Sequence, residues 1–419
     1  MKVTLTRSSP FAVVVLSAFL FFNGPVFAGS LEPTSPPGPT MKTLDEIEPG
    51  IPISQEDLPL VIDQPGTYYL TENLQYNQTL GTAISINYTS AVLDMNGYTL
   101  RGMNTGTAHG VATYRADAVE IRNGSVSNFS IGVFGDFFTD NCRLTDLNVS
   151  GNINRGISLG GGHGNLVRRC TASFNGQAGI YAYSSTTITE CMASNNAGQG
   201  ITGGISNTVR NCIVKDNKWR GIAVGDHSII EGNTCMNNID VGIYVGKGSV
   251  VRGNCVKGSS VHGIAVTYGC TVTNNTAYEN GNIGIHGGNG GTIIGNTAYG
   301  NQNFGIAGAA GCLISDNTSR NNVKDGIYAG NDCTVKDNNC FNNGLEGDGA
   351  GIRALSNNRI QGNHVTGNDR GIDIDSTGNL IVQNSARSNT TAYTIVGGNT
   401  VGSITSDPTT AGPWANFSY

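Results

Sequence analysis

The sequence predicts an all-β protein whose chain winds into a parallel solenoid, and two observations carry this prediction. A glycine followed by isoleucine or valine recurs along the chain, and from Gly179 to Gly326 every step is 21 residues. One unit, Gly221 to Val241, contains three short β-prone segments separated by Gly, Asn and Asp, without the apolar periodicity of a helix. Stacking such units at the normal strand spacing aligns equivalent residues into columns.

Apolar residues recur at fixed positions of this unit and predict the inward-facing side chains. Counted from the glycine, positions 1, 3, 9 and 14 are apolar or small, as in Ile222, Val224, Ile230 and Cys235. Thirteen such glycines occur between Gly110 and Gly371. We therefore expect about 13 coils, mostly of 21 residues, each with three strands around an apolar core.

Two further columns are rich in asparagine. Because position 12 holds both thiols and amides, we expect an inward bend where each Asn hydrogen-bonds to backbone and to the next Asn. We assign position 17 to turns, since Asn tolerates left-handed backbone conformations. The position-12 residues are Cys191, Cys212, Asn233, Asn254, Asn275, Asn296, Asn317, Asn338 and Asn363. The position-17 residues are Asn196, Asn217, Asn238, Asn280, Asn301, Asn322, Asn343 and Asn368.

The N-terminal sequence is typical of an exported chain. Lys2 and Arg7 precede an apolar run of 12 residues, Phe11–Phe22, and Ala28 ends a stretch suited to cleavage. We expect a signal peptide over residues 1–28 and a secreted, periplasmic or cell-surface location. A membrane anchor is the alternative, but the run is shorter than the roughly 20 apolar residues that a span requires.

The remaining boundaries follow from composition and from the ends of the repeats. Residues 29–40 are proline-rich and are assigned to a linker. An open solenoid end exposes core and strand edges, so we expect caps at both ends. We assign residues 41–60 to an N-terminal cap, with a helix in 41–49, residues 61–395 to the solenoid, and residues 396–419 to a C-terminal cap or tail.

Charge and cysteine content exclude some functions. The net charge of −6 argues against a nucleic-acid partner, which requires a basic surface. The ten cysteines lack paired metal-ligand spacing, so no metal site is expected from them. We interpret them as small core residues, with Cys170, Cys191 and Cys212 in one stack and Cys312 and Cys333 in another. Disulfides are the alternative, since exported chains permit them.

The glycine repeats, the asparagine columns and the opening segment Ile62–Gly102 together resemble secreted right-handed parallel β-helix proteins of the pectate-lyase-like superfamily. The resemblance covers about residues 60–395 and implies the fold, but it implies little about activity because this fold hosts many functions. It also implies that the glycine-led strand is the first of three. Family active sites lie on the outer face of that strand and on the turn before it.

That placement selects a first-strand patch of candidate residues. Arg220, Asp240 and His262 are the catalytic candidates, because Arg can bind a carboxylate and His can take a proton beside it. The substrate-binding candidates are Trp219, Tyr244, His286 and Tyr328, whose side chains can pack against a sugar ring. The alternative is that these residues are an ordinary polar solvent face.

A second outward column at position 15 is predicted to be a track for an acidic glycan, and Tyr278 and Tyr299 are its binding candidates. Simple stacking of β-formers is the alternative. The column consists of Lys215, Met236, Lys257, Tyr278, Tyr299, Arg320 and Phe341. No cofactor is expected, although Asp373 and Asp375 are two apart on one face and suggest calcium as an alternative. The insertion Leu345–Asp348 adds acidic residues to one turn.

Two hypotheses about function remain. The first is an exported β-helix protein that binds or processes an acidic polysaccharide, with a uronate lyase or epimerase favoured over a glycoside hydrolase if it is an enzyme. The second is a non-catalytic surface or matrix protein that binds glycan or forms a rigid rod. No membrane span is expected after signal cleavage. The regular period with few insertions favours the second.

Overall fold

The computed structural model describes residues 50–344 and 347–419 and forms a parallel β-solenoid, which confirms the predicted fold class. The predicted signal peptide, linker and helical segment 41–49 lie outside the described residues, as do Leu345 and Glu346 of the insertion. In the described ranges the helical structure is a single 3-10 turn, Gln55–Asp57. No helix in these ranges is long and apolar enough to cross a bilayer.

Each complete coil contributes a first, a second and a third strand, and equivalent strands of neighbouring coils pair in parallel. The first strands are Leu60–Ile62, Thr82–Ile86, His109–Thr113, Ile131–Gly135, Ile157–Leu159, Ile180–Ala182, Ile201–Gly203, Ile222–Val224, Ile243–Val245, Ile264–Val266, Ile285–Gly287, Ile306–Gly308, Ile327–Ala329, Ala350–Ala354, Arg370–Ile374 and Thr391–Ile395.

The second and third strands form one large sheet, because in two coils the second strand continues without a break into the third. These continuous strands are Glu120–Ser127 and Arg143–Ser150. The other second strands are Gly50–Ile53, Thr67–Leu70, Val92–Asp94, Leu166–Arg168, Thr187–Thr189, Thr208–Arg210, Ile229–Glu231, Val250–Arg252, Thr271–Thr273, Thr292–Ile294, Leu313–Ser315, Thr334–Lys336, Arg359–Gln361, Leu380–Val382 and Thr400–Val401. The other third strands are Leu74–Gln75, Thr99–Arg101, Thr171–Ser173, Met192–Ser194, Ile213–Lys215, Thr234–Met236, Cys255–Lys257, Thr276–Tyr278, Thr297–Tyr299, Thr318–Arg320, Asn339–Phe341, His364–Thr366, Ser385–Arg387, Ile404–Thr405 and Asn416–Ser418.

The predicted number of coils was too low. The described chain has 16 first strands in one sheet, and the solenoid makes about 17 turns. The glycine count missed three first strands, because Pro59, Ala83 and Ala392 stand where the repeat has glycine. Parallel pairing runs from Gly50–Ile53 to Asn416–Ser418 and so extends past the predicted solenoid bounds of 61 and 395.

The predicted inward columns form the core. Ile222, Val224, Ile230 and Cys235, which represent positions 1, 3, 9 and 14, are all buried. The predicted cysteine stacks are also present, and all ten thiols are free. Burial raises the pKa of Cys142 to about 12, so this thiol is a core side chain and not a nucleophile.

The position-12 asparagines form the predicted ladder. Asn254 donates from Nδ2 to Asn275 Oδ1 over 2.9 Å and to the Ile230 carbonyl over 3.0 Å, while its backbone N–H donates to the same Asn275 oxygen. The pattern continues through the tail, where Asn384 donates to Asn416. The backbone N–H and the side-chain amide of Asn254 therefore both have hydrogen-bond partners inside the core.

The position-17 column is a second ladder, so its assignment to left-handed turns was wrong. Asn217 is fully buried and donates from Nδ2 to Asn238 Oδ1 over 3.0 Å. The left-handed conformation belongs to the residue just before, as in Asp216 with φ of 57°. That preceding residue turns the chain, and the turn directs the asparagine inward.

This second ladder explains the repeated glycine. A Cβ on Gly221 would lie 2.5 Å from the Gly242 carbonyl oxygen and 2.7 Å from Asn238 Nδ2. Both distances are shorter than van der Waals contact. Glycine is thus required at this position, because the ladder amide and the neighbouring coil approach it closely.

Candidate functional site

Five members of the predicted first-strand patch lie together on neighbouring coils: Arg220, Asp240, Tyr244, His262 and His286. Arg220 Nε donates to Asp240 Oδ2 over 2.9 Å, and both side chains are about one third exposed. The Arg220 guanidinium also lies 4.2 Å from the centre of the Tyr244 ring. Trp219 is 58% exposed beside this pair. Arg220 is therefore held between a carboxylate and an aromatic face.

The two histidines of the patch pack against each other. The His262 and His286 rings stack with centroids 5.4 Å apart and an angle of 24° between their planes. Burial lowers the pKa of both imidazoles, and for His262 the His286 ring lowers it further while Asp240 raises it. Both rings are thus neutral at neutral pH. His262 Nδ1 is buried without a hydrogen-bond partner among the described residues.

These contacts follow one rule along the solenoid. The residue before the repeat glycine of one coil packs on the position-2 residue of the next coil, as Arg220 does on Tyr244. The same relation joins Arg155 to Tyr181 at 4.0 Å, His109 to Phe134 at 4.8 Å, and Phe304 to Tyr328 at 5.2 Å. Tyr328 therefore stacks on Phe304 and not on the other patch residues. The patch is made of two of these diagonal pairs.

From Lys257 to Phe341, the predicted third-strand track is a row of stacked side chains. The Tyr278 and Tyr299 rings lie 4.7 Å apart with 12° between their planes. Lys257 Nζ lies 5.3 Å from the Tyr278 ring, and the Arg320 guanidinium lies 4.3 Å from the Tyr299 ring and 6.0 Å from the Phe341 ring. Neighbours in this row are in direct strand register.

The charges of the track differ in how they are neutralised. Lys257 pairs with Glu279 over 3.1 Å. Arg320 has no carboxylate partner in the described part of the chain. Because the tyrosine rings face each other, a ligand can reach their edges and hydroxyl groups but not their inner faces. The track can offer cations and phenol hydroxyls to an anionic ligand.

Sequence reasoning considered Asp373 and Asp375 as calcium ligands and did not predict that they join a cluster of arginines and aspartates near the end of the first-strand sheet. Arg353 binds Asp375 over 2.6 Å and lies 4.0 Å from Asp325, while Arg370 binds Asp373 over 3.2 Å. Asp325 and Arg353 are another diagonal pair, so the repeat spacing was the signal that could have found them. Arg370 also binds Asp348, the exposed end of the insertion.

The two inner carboxyl groups of this cluster are buried. Asp325 is 1% exposed and Asp373 is 2% exposed. Burial raises the pKa of Asp325 to about 6, although the Ala350 N–H and Arg353 act in the opposite direction. Asp325 Oδ2 has no hydrogen-bond partner among the described residues. Asp325 is therefore too buried to contact a substrate.

The calcium alternative rested on Asp373 and Asp375. Each of these carboxylates is bound to an arginine, which does not favour a cation beside them. Within residues 50–344 and 347–419, no group of three or more His, Cys, Asp or Glu side chains is arranged to hold a metal ion.

The chain belongs to the right-handed β-helix family. The family model described as "Right handed beta helix region" matches residues 82–229, 139–280 and 269–391. This match, with the parallel solenoid, confirms the resemblance inferred from the repeats. No curated protein matches the chain significantly.

The solved structures that this chain matches share little sequence with it. The A-module of the Azotobacter vinelandii mannuronan C-5 epimerase AlgE6 is 14% identical with a TM-score of 0.49, over 85% of this chain and 91% of that chain. A mutant of the periplasmic alginate epimerase AlgG is 14% identical with a TM-score of 0.43, over 74% and 78%. A tailspike mutant of E. coli bacteriophage HK620, in complex with pentasaccharide, is 13% identical with a TM-score of 0.48, over 75% and 72%.

Proposed function

We propose that this chain is an exported β-helix protein that binds an acidic polysaccharide along the third-strand track. The observation that carries the proposal is Arg320, a cation without a carboxylate partner in the described chain, held in a row of stacked aromatic side chains. Stacking on Tyr299 fixes the guanidinium without neutralising it. A uronate carboxylate would supply the missing partner through two N–H groups.

The rest of the row extends this surface. Lys257 and Lys215 lie in the same column on earlier coils, and Arg387 occupies it on a later coil. The Tyr278 and Tyr299 hydroxyls can donate to sugar oxygens between the cations. A polymer lying along the solenoid axis would meet these groups in succession, and several weak contacts would add up.

The test is affinity electrophoresis of the full chain in gels that contain polygalacturonate, alginate or a glycosaminoglycan. Retardation by at least one acidic polymer is expected, with a several-fold loss of affinity in Arg320→Gln. Arg252→Gln is the matched control. This substitution removes the same charge from the second-strand face, where Arg252 pairs with Glu231 over 3.0 Å. No retardation by any of the three polymers, or equal loss in both variants, contradicts the proposal.

A second candidate function is uronate elimination or epimerisation at the first-strand patch. It is favoured by the lowered pKa of His262, which keeps this imidazole neutral, and by its place one coil beyond the Arg220–Asp240 pair. In this scheme Arg220 binds the uronate carboxylate, and His262 takes the proton from the adjacent carbon, C5. The resulting carbanion either expels the C4 oxygen, which takes a proton from water, or takes a proton from water on its opposite face. Asp240 orients Arg220, while Trp219, Tyr244 and His286 hold the sugar.

Ultraviolet absorbance of unsaturated uronate tests the lyase form of this scheme, and exchange of the C5 proton with solvent deuterium tests the epimerase form. Both signals would disappear in Arg220→Ala and in His262→Ala. If neither signal appears on pectin, alginate or glycosaminoglycan, the catalytic scheme fails, while binding by the track is judged separately by electrophoresis.

Export is part of the proposed function, because an extracellular polysaccharide is met outside the cell. It is supported by the basic start and the apolar run Phe11–Phe22. N-terminal sequencing of the protein recovered from the medium or the periplasm is expected to begin at Gly29. Retention of residues 1–28 in a membrane fraction would indicate an anchor instead.

A further inference from the structure

A cavity of about 570 Å³ lies on the turns that follow the first strands of three consecutive coils. These turns come after His109–Thr113, Ile131–Gly135 and Ile157–Leu159, so the cavity is separate from the first-strand patch and from the third-strand track. The residues that line it and carry the argument are Arg115, Asp117, Phe137, Phe138, Asp140 and His163.

Two adjacent aromatic side chains stand out of the middle turn into solvent. Phe137 is 69% exposed and Phe138 is 63% exposed, although neighbouring large apolar side chains of the coil are in the core. The Phe137 ring meets the Tyr183 ring edge-on at 6.2 Å, and the Arg115 guanidinium lies 5.6 Å from the Phe138 ring. Paired exposed aromatic rings at a cavity are typical of a ligand-binding surface.

The turn that carries these rings is held by its own hydrogen bonds. Asp136 Oδ1 accepts from the Phe138 N–H over 3.0 Å and from the Thr139 hydroxyl over 2.8 Å. Asp136 Oδ2 accepts from the Arg115 N–H over 3.1 Å, which ties the turn to the coil before it. The rings are thus presented by an ordered backbone, so binding would order little of the protein.

Hydrogen-bonding groups with spare capacity surround the rings. Asp117 Oδ1 accepts from the Asp140 N–H, and Asp140 Oδ1 accepts from the His163 N–H. The Oδ2 atoms of both carboxylates and the Arg115 guanidinium have no hydrogen-bond or ion-pair partner among the described residues. Carboxylate oxygens accept from hydroxyl groups, and the guanidinium donates to ether or hydroxyl oxygens.

This combination selects one class of ligand. Two carboxylates beside the rings disfavour phosphates and uronates by like-charge repulsion. A peptide strand cannot add here, because the Phe138, Asp140 and His163 N–H groups are already bonded within the turns. A neutral sugar offers an apolar ring face for the phenylalanines and many hydroxyl groups for the carboxylates.

We propose that this cavity binds a neutral glycan. The apolar face of one sugar ring packs on Phe137 and Phe138, its hydroxyls donate to Asp117 and Asp140, and Arg115 donates to a ring or glycosidic oxygen. The chain then carries two glycan sites of opposite preference, this one for neutral sugars and the third-strand track for acidic ones. The neutral site does not depend on the acidic one.

Titration calorimetry of the full chain with cellohexaose, laminarihexaose and mannohexaose tests the proposal. At least one of these neutral hexasaccharides is expected to bind with a millimolar or lower Kd, and Phe137→Ser and Asp117→Asn are each expected to weaken that binding at least tenfold. Asp117→Asn keeps the oxygen that accepts from the Asp140 N–H. Phe174→Ser is the matched control, because Phe174 is 66% exposed on a different turn.

Three outcomes would overturn the proposal. The first is the absence of heat with all three hexasaccharides up to several millimolar. The second is equal weakening by Phe137→Ser and Phe174→Ser. The third is tighter Phe137-dependent binding of hexagalacturonate than of any neutral probe, which would reverse the charge preference. Arg320→Gln is expected to leave neutral binding unchanged, so failure here is distinguishable from failure of the acidic track.

Discussion

The Arg320 guanidinium lies 4.3 Å from the ring of Tyr299, its direct strand neighbour on the preceding coil. No carboxylate among the described residues neutralises this guanidinium. The two side chains should therefore contribute differently to binding of an acidic polymer. Arg320→Gln is expected to weaken affinity and to reduce its dependence on salt, because a charged contact is lost. Tyr299→Leu is expected to weaken affinity with little change in salt dependence. Electrophoresis at several ionic strengths measures both, and identical salt responses would contradict this division of roles.

The asparagine ladder predicts a large loss of stability for a single polar substitution in the core. Asn275→Ala removes the oxygen that accepts from the Asn254 backbone N–H and Nδ2. Each buried donor left unsatisfied costs about 1–3 kcal/mol, so the loss of two partners should lower the free energy of unfolding by roughly 2–6 kcal/mol. Asn274→Gly is the control, since Asn274 has φ of 56° and glycine stands at the equivalent position of both neighbouring coils. Urea unfolding measures both, and similar midpoints would contradict the ladder.

The repeat glycines predict that one added methyl group is poorly tolerated. A Cβ on Gly284 would lie 2.6 Å from Asn301 Nδ2 and 2.6 Å from the Gly305 carbonyl oxygen. Gly284→Ala should therefore destabilise by about 1–3 kcal/mol or more, since neither the ladder nor the backbone can move freely. Gly397→Ala, where nothing lies within 4 Å, should be close to neutral. Thermal unfolding compares the two, and equal melting temperatures would count against the close approach.

Asp325 predicts how stability changes with pH. Its folded pKa of about 6 is above the usual value of about 3.9 for an unfolded chain, so the folded state holds this proton more tightly. The resulting stabilisation is present below pH 4 and is lost as pH rises through 6. Asp325→Asn should be more stable than the natural chain at pH 7, by up to about 3 kcal/mol. The test is urea unfolding at pH 4, 5, 6 and 7, and a wild-type slope retained by the variant would disprove the assignment.

The contact between His262 and His286 should set the acid side of the pH–activity profile for catalysis at the first-strand patch. Burial and the neighbouring imidazole lower the pKa of His262, so it stays neutral at a pH where an exposed histidine is already protonated. If His262 is the base, activity should persist below the usual titration range of imidazole and then fall. His286→Ala removes one cause of the lowered pKa and should move the acid limb to higher pH. A limb that does not move would exclude this coupling.

Several features of the fold were predictable because they depend on coil length alone. A 21-residue step places Asn254 beside Asn275 whatever the rest of the sequence, so the inward columns and the position-12 ladder followed from spacing. The coils without the glycine were missed, because Pro59 and Ala392 break the pattern that identified the others. The position-17 ladder was misassigned, since periodicity does not say whether an asparagine or its predecessor has the left-handed conformation.

By itself, the sequence determined that this chain is a β-solenoid with stacked apolar, thiol and amide columns. Only the tertiary structure decided which outward groups are already paired. It showed Arg220 bound to Asp240, Arg320 without a partner in the described chain, and Asp325 buried beside Arg353 across a coil step of 25 residues. The physical reason is that inward columns depend only on the period. Outward contacts also depend on side-chain direction and on turn length, which vary from coil to coil.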